Sequence, residues 1–146
     1  MVRFWDASAV ISLCVSDPAT RAVRGIAEED PAITAWWGTV VECSSALFRL
    51  RRQGDLGAAE ADLARQGVTR LAERWSEVLP SHEVREQALR ALGLHRLRAG
   101  DAFQLAAALV WAERRPSGQH FVSLDGRLRA AAHAEGFTVL PLEEPR

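Results

Sequence analysis

Apolar and polar positions along the chain alternate between short β-type runs and longer helical stretches. Val2 to Trp5 is a short β-type run that stops at Asp6, and Ala7 to Val15 is apolar enough for a helix packed against it. Pro18 suits the first turn of a second helix reaching about Glu29. Ala32 to Ala35 reads as a second strand. Thr39 to Gln53 follows as a helix that Gly54 ends. Leu56 to Trp75 is rich in Ala, Leu and Arg, hence helical, with Gly67 expected to split or bend it. Val78 and Leu79, before Pro80, suit a short strand. Ser81 starts the next helix, with Val84 and Leu89 expected on one side. Asp101 to Arg115 is apolar nearly all round, as in a central, buried helix. Phe121 and Val122 form a strand stopping near Asp125. Leu128 to Glu135 is a helix closed by Gly136, and Phe137 to Leu140 is the last strand.

Short strands alternating with helices predict an α/β fold with a parallel sheet. Helices outnumber strands, so the sheet is small and carries additional helices. The 146 residues are expected to form one domain, 1–146. The cationic residues number 18 and all are arginine. Without lysine the chain has no Walker-type phosphate loop, Schiff base or lysine general base. A formal net charge of −1 gives no global basic field. Two cysteines, Cys14 and Cys43, make no disulfide framework and read as small apolar packing residues. The longest apolar run, Leu105 to Ala112, is too short to span a bilayer. Asp6 falls where a signal peptide needs its apolar stretch. A soluble, cytoplasmic protein with no membrane partner is expected.

Four acids stand out by position. Asp6 and Asp125 each lie just past a strand, Asp101 opens the buried helix, and Glu42 lies in the first turn of another. Ligands of open parallel sheets sit outside the carboxyl ends of the strands, so Asp6 and Asp125 can face one cleft. Each acid also has a plain structural reading. Asp6 and Asp101 suit helix caps, and Asp125 before Gly126 suits a turn. Glu42 points away from the face carrying Val40, Val41, Leu47 and Phe48, toward either solvent or a cleft. Two carboxylates about 4 Å apart repel by about 4 kcal/mol at an effective dielectric of 20. Four in one cleft therefore need protons, arginine partners or a cation. Hard oxygen ligands select Mg²⁺ or Mn²⁺. His82, His95, His120 and His133 are scattered and make no zinc site.

In order along the chain, DASAV (Asp6 to Val10), TAWWGTVVECSSALFRL (Thr34 to Leu50), LRAGDAFQLAAAL (Leu97 to Leu109) and FVSLDGRL (Phe121 to Leu128) resemble the motifs of PIN-domain ribonucleases. The similarity is strongest to VapC-type toxins of VapBC toxin–antitoxin pairs and runs over nearly the whole chain. Ala7, where some members carry Ser or Thr, and Gly126 after the fourth acid depart from the pattern. The resemblance implies a PIN-like α/β/α sandwich in which Asp6, Glu42, Asp101 and Asp125 are both catalytic and metal-binding, converging on Mg²⁺ or Mn²⁺. It implies endonucleolytic hydrolysis of RNA by a metal-activated water. Ser8 and Ser123 are then candidates to hold carboxylates or metal waters, with capping or turn bonding as their plain alternative.

Arg49, Arg51 and Arg52 end the Glu42 helix, Arg96 and Arg98 precede Asp101, and Arg127 and Arg129 follow Asp125. A basic rim is expected, with Arg98 and Arg127 contacting RNA phosphate. Trp36 and Trp37, read as starting the cleft-side helix, suit a core or interface anchor more than base stacking. Trp5, Trp75 and Trp111 read as packing. Val10, Ile11, Leu13 and Val15 are expected to serve a homodimer or an antitoxin groove. A small cognate antitoxin follows from the resemblance. Two other readings remain open: a non-toxin PIN-like nuclease in RNA processing, and a non-catalytic acidic-pocket binding module.

Overall fold

The computed structural model describes residues 2–143. Five short strands, β1 (Arg3–Trp5), β2 (Ile33–Trp36), β3 (Ser76–Val78), β4 (His120–Val122) and β5 (Thr138–Leu140), form one parallel sheet in the order β3-β2-β1-β4-β5. Among the described residues seven helices cover it: α1 (Ala7–Cys14), α2 (Thr20–Glu29), α3 (Thr39–Arg52), α4 (Ala58–Ala72), α5 (His82–Leu94), α6 (Ala99–Trp111) and α7 (Gly126–Glu135). None of them is long and apolar enough to cross a membrane.

Side-chain alternation along each strand divides the core in two. Phe4, Trp36 and Phe121 face one layer, where they pack with α5, α6 and α7. Their neighbours Trp5, Ala35 and Val122 face the other, against α1, α2, α3 and α4. The central strands β1 and β2 are buried along their whole length, so neither of their faces is a solvent face. Helix α6 buries Ala102 and every residue from Gln104 to Leu109. Its run of alanines admits α5 closely, through Val84, Ala88 and Ala91. The result is the expected α/β/α sandwich.

Several expectations need correcting. Gly67 does not split its helix, because α4 runs through it unbroken. A Cβ at Gly67 would stand 3.2 Å from Cys14 Sγ, so the glycine is where α4 meets α1. Leu89 is 63% exposed, and Ala88 and Ala91 join Val84 on the buried side instead. Strand β3 is Ser76–Val78; it lies at the sheet edge, with Ser76 and Glu77 exposed, and Leu79 falls outside it. Helix α6 begins at Ala99 and ends at Trp111; Glu113 and Arg114 then adopt left-handed backbone that no helix continues. Trp36 ends β2 and Trp37 occupies the following turn, so neither starts α3. Val10 is fully buried, which removes it from any partner surface, while Ile11, Leu13 and Val15 are half-buried.

Gly67→Leu forces side-chain atoms into the α1–α4 contact and is expected to cost roughly 1–3 kcal/mol. Urea denaturation measures it. Adding Cys14→Ala, which empties the space beside Gly67, is expected to return part of the loss; an unchanged cost in the double variant contradicts this packing account.

Candidate active site

The strand order reverses direction at β1, so the crevice between the carboxyl ends of β1 and β4 is the topological switch point of the sheet. Asp6 follows β1 directly, with its N–H bonded to Val122 O on β4 at 3.0 Å. Its side chain caps α1 by accepting the Ala9 N–H at 3.0 Å. Asp125, beyond β4, caps α7 in the same way through Leu128 N–H at 2.9 Å. Asp101 lies in the first turn of α6 rather than at its cap, which is Arg98. Glu42 lies in the first turn of α3. All four acids thus sit at the positive ends of helices, where each gains roughly 0.3–1 kcal/mol from the aligned peptide dipoles.

These four side chains line one cleft of about 840 Å³. Glu42, whose direction periodicity left open, faces it. Arg98 and Arg127 line it as well, joined by Arg49 from α3. Among the described residues none of the four acids has a salt-bridge partner. Nor are any three His, Cys, Asp or Glu side chains among them grouped tightly enough to enclose a metal ion as they stand.

Asp6 is the most constrained of the set. Its Oδ1 accepts Ser8 Oγ–H at 2.7 Å besides the Ala9 N–H, and its Oδ2 accepts Ser123 Oγ–H at 2.7 Å. The two serines do more than hold the carboxylate. Ser8 Oγ accepts the Leu124 N–H at 2.9 Å, and Ser123 Oγ accepts the Asp125 N–H at 3.1 Å. Both hydroxyls therefore tie the end of β1 to the loop after β4. Carboxylate holding and turn bonding, posed as alternatives for these serines, coexist.

Burial pushes the Asp6 carboxyl up to about 6; the bonds from Ser123, Ala9 and Ser8 oppose this, and the Asp125 charge adds to it. Burial likewise pushes Glu42 up to about 7, helped by the charges of Asp6 and Asp101 and opposed by a hydrogen bond from the Gln104 side chain. Asp101 is raised by burial and by Asp125, and held back by the Arg98 N–H and the Arg98 and Arg127 guanidinium groups. The cleft thus favours bound protons in the absence of any other cation.

Two cleft residues escaped the sequence reading. Gln104 is 1% exposed and lines the cleft; its Nε2 donates to Thr39 Oγ1 at 3.0 Å, while its buried Oε1 has no partner. The available signal was a lone amide inside a helix that is otherwise apolar nearly all round. Arg49, one of the three arginines that end the Glu42 helix, stands seven residues after Glu42 and hence on the same helical face. Arg129 corrects the other way. It donates to Ser123 O at 2.8 Å and Pro141 O at 2.7 Å, bracing the loop after β4 rather than facing the cleft.

Solved structures share this architecture. A toxin–antitoxin complex from Klebsiella pneumoniae matches with a TM-score of 0.65 at 14% identity, over 97% of this chain and 98% of that one. VapC20 of Mycobacterium tuberculosis, described as a sarcin–ricin loop cleaving toxin, matches with a TM-score of 0.64 at 20% identity, over 90% of this chain and 95% of that one. FitAcB from Neisseria gonorrhoeae matches with a TM-score of 0.64 at 15% identity, over 95% and 96%. The chain has the PIN fold. No family model matches the sequence, and no curated protein matches it either. At such identities the likeness establishes the PIN architecture alone, and the reading of the cleft rests on its own residues.

The raised acids make the stability of the fold pH-sensitive. A carboxyl whose folded pKa exceeds its unfolded value adds full stability below the unfolded pKa, and that stability is lost as pH rises through the folded one. For Asp6 the window runs from 3.8 to about 6, and for Glu42 from 4.5 to about 7. Asp6→Asn keeps an acceptor for Ala9 but removes the titration. It is expected to shrink the loss of unfolding free energy between about pH 4 and about pH 8 by roughly 2 kcal/mol. Urea titrations with chelator at both pH values measure this; an identical pH slope in both proteins refutes it.

Proposed function

We propose that the chain is a Mg²⁺- or Mn²⁺-dependent endoribonuclease, the cytoplasmic toxin of a type II toxin–antitoxin pair. The observation that carries this is the convergence of Asp6, Glu42, Asp101 and Asp125 on one cleft without ion-pair partners. The sarcin–ricin loop cleavage stated for VapC20, and the toxin–antitoxin assembly of the Klebsiella protein, favour RNA and an antitoxin as partners here.

The donor set suits a hard divalent ion. It is all oxygen, and Asp6, Glu42 and Asp101 are driven toward protonation by burial and by neighbouring carboxylates. A carboxylate offers about four acceptor sites. Three on Asp6 are used by Ser8, Ala9 and Ser123, which leaves room for one further bond. Asp6, Glu42, Asp101 and Asp125 would hold the ion. Bound there, a divalent cation supplies an activated water and offsets charge on the phosphate and the leaving oxygen.

The chain's own groups do the remainder. Arg98 and Arg127, with Arg49 across the cleft, orient the RNA phosphates. Glu42 or Asp125 takes the proton released by the attacking water at a carboxylate oxygen. Ser8 and Ser123 keep Asp6 fixed while charge shifts around it. The half-buried Leu13 and Cys14, with Ala27, Leu63 and Leu71, line a surface cavity of about 520 Å³ that suits an apolar antitoxin segment. A homodimer is part of the same reading.

Asp101→Asn is expected to abolish RNA cleavage and growth arrest with an unchanged circular dichroism spectrum, and chelation is expected to abolish cleavage by the wild-type protein. Full activity in Asp101→Asn refutes the assigned site, and full activity under chelation refutes the metal dependence. Ser123→Ala, which frees an Asp6 oxygen, is expected to cost about 10- to 100-fold in activity or metal affinity.

Charge reversal of Arg98 and Arg127 together is expected to weaken RNA binding and lower its salt slope by about 2, one for each lost phosphate contact. Filter binding across a salt series reads both, and an unmoved slope removes these arginines from the interface.

A further inference from the structure

Beside the acidic cleft the same sheet edge carries an aromatic recess that the hydrolytic reading leaves unused. Strands β2 and β3 run parallel to β1 and β4, so Trp36 and Val78 end at the edge where Asp6 and Asp125 begin their helices. Trp36 is buried and stacks on Phe103 of α6, with ring centroids 5.5 Å apart and planes at 3°. Trp37 stands edge-on to Trp36 at 6.5 Å and 73°, yet is 55% exposed. Its backbone is not loose, for its N–H donates to Val78 O at 3.0 Å. These three rings, with Pro80, His82 and Arg85, line a cavity of about 590 Å³. Among the described residues Arg85 has no salt-bridge partner.

We propose that this recess is a nucleobase subsite, in which an unpaired base of the RNA stacks on Trp37 while Arg85 and His82 meet its phosphate or its polar edge. The proposal rests on the nuclease reading above and names how that site takes hold of its substrate. Three features favour a base over a peptide or a second copy of the chain. The exposed ring is pinned at its backbone, as a stacking platform must be, and the aromatic surface adjoins a free guanidinium, the pairing that single-stranded nucleic acid uses. The recess and the cleft also share helix α6. Phe103 stands between Asp101 and Gln104 on α6, both of which line the cleft. Neighbouring strands lie about 4.8 Å apart, so an RNA strand crossing the β1 end reaches the β2 end within a few nucleotides. Stacking serves any base, so Trp37 sets where along the strand cleavage falls more than which base is chosen.

The test uses the full chain with Mg²⁺, carrying Asp101→Asn to prevent turnover, and dye-labelled single-stranded oligoadenylate and oligouridylate as probes. Adding Trp37→Ala is expected to weaken binding about 10-fold by fluorescence anisotropy. Trp37→Phe is expected to recover most of that. In a series of probes with one abasic nucleotide moved along the strand, one position is expected to weaken binding to the parent and to have no further effect in Trp37→Ala. In otherwise wild-type protein Trp37→Ala is expected to raise KM for a long mixed-sequence RNA and leave kcat and melting temperature unchanged. Equal affinity and an identical abasic profile for parent and Trp37→Ala overturn the subsite and leave the nuclease standing. A loss of dimer in Trp37→Ala by sedimentation makes the tryptophan an interface anchor and also overturns it. A folded wild-type protein that neither binds nor cleaves any of these RNAs removes the nuclease reading itself.

Discussion

Four carboxylates converge on one cleft, and three of them are buried enough to be pushed toward neutrality. Like charge at short range in a poorly solvated place is the strongest constraint on this fold. The structure answers it with backbone before side chains. Each acid is delivered by a different helix, and in each case by its N-terminal end, where unsatisfied N–H groups and the peptide dipoles favour negative charge. A parallel sheet makes this possible. Because every strand enters from the same side, α1, α3 and α7, which directly follow strands, begin at the same edge, where α6 joins them after α5, and the reversal of strand order at β1 opens a gap there. The serines complete the answer: Ser8 and Ser123 give their hydrogens to Asp6 and receive backbone N–H groups of the loop after β4.

Much of this was legible in the sequence because the acids sit at boundaries, and boundaries are where polar residues interrupt apolar runs. The strands are only three or four residues long, yet Asp6 marks where β1 stops and Asp125 lies just past β4. What could not be read depended on contacts between elements. Gly67 in isolation signals a split or a bend; the helix continues through it, and the glycine is the point where α4 meets Cys14 of α1. Strand β3 exposes Ser76 and Glu77 at the sheet edge, so it carries no alternating pattern to detect. Leu89 lies five residues after Val84, a spacing that turns it well off the buried face of α5. Glu42 is the instructive case. A polar residue opposite an apolar face looks the same in sequence whether it meets solvent or a cleft, and only the arrival of α6 decides between them.

The arginines follow the same logic. Their proximity in sequence to the acids implied a basic rim, but the direction of each side chain depends on its helix. Arg98 at the cap of α6 and Arg127 in the first turn of α7 share their helices' open ends with the acids and line the cleft. Arg129, two residues beyond Arg127, is turned back toward the carbonyls of Ser123 and Pro141. Arg49 reaches the cleft because seven residues bring it round to the face of Glu42. A formal charge of −1 thus conceals an acidic floor with guanidinium groups beside it, an arrangement suited to a phosphodiester that needs cations on its flanks and oxygen ligands beneath.

Capping and chemistry, which sequence reading sets against each other, are here one property. An Asp that caps a helix has its carboxylate fixed by backbone N–H groups at a place where the dipole tolerates charge, and a ligand-holding carboxylate requires the same two conditions. Asp6 and Asp125 meet both. The consequence is that capping and charge are separable at these positions by choice of substitution. Asn preserves the capping oxygen and removes the charge, whereas Ala removes both and costs about 1 kcal/mol of helix stability besides. The ordinary propensity of Asp for helix N-termini is therefore no evidence against a functional role. In a parallel sheet at its switch point, it is the means by which short local signals, far apart in the chain, assemble one site.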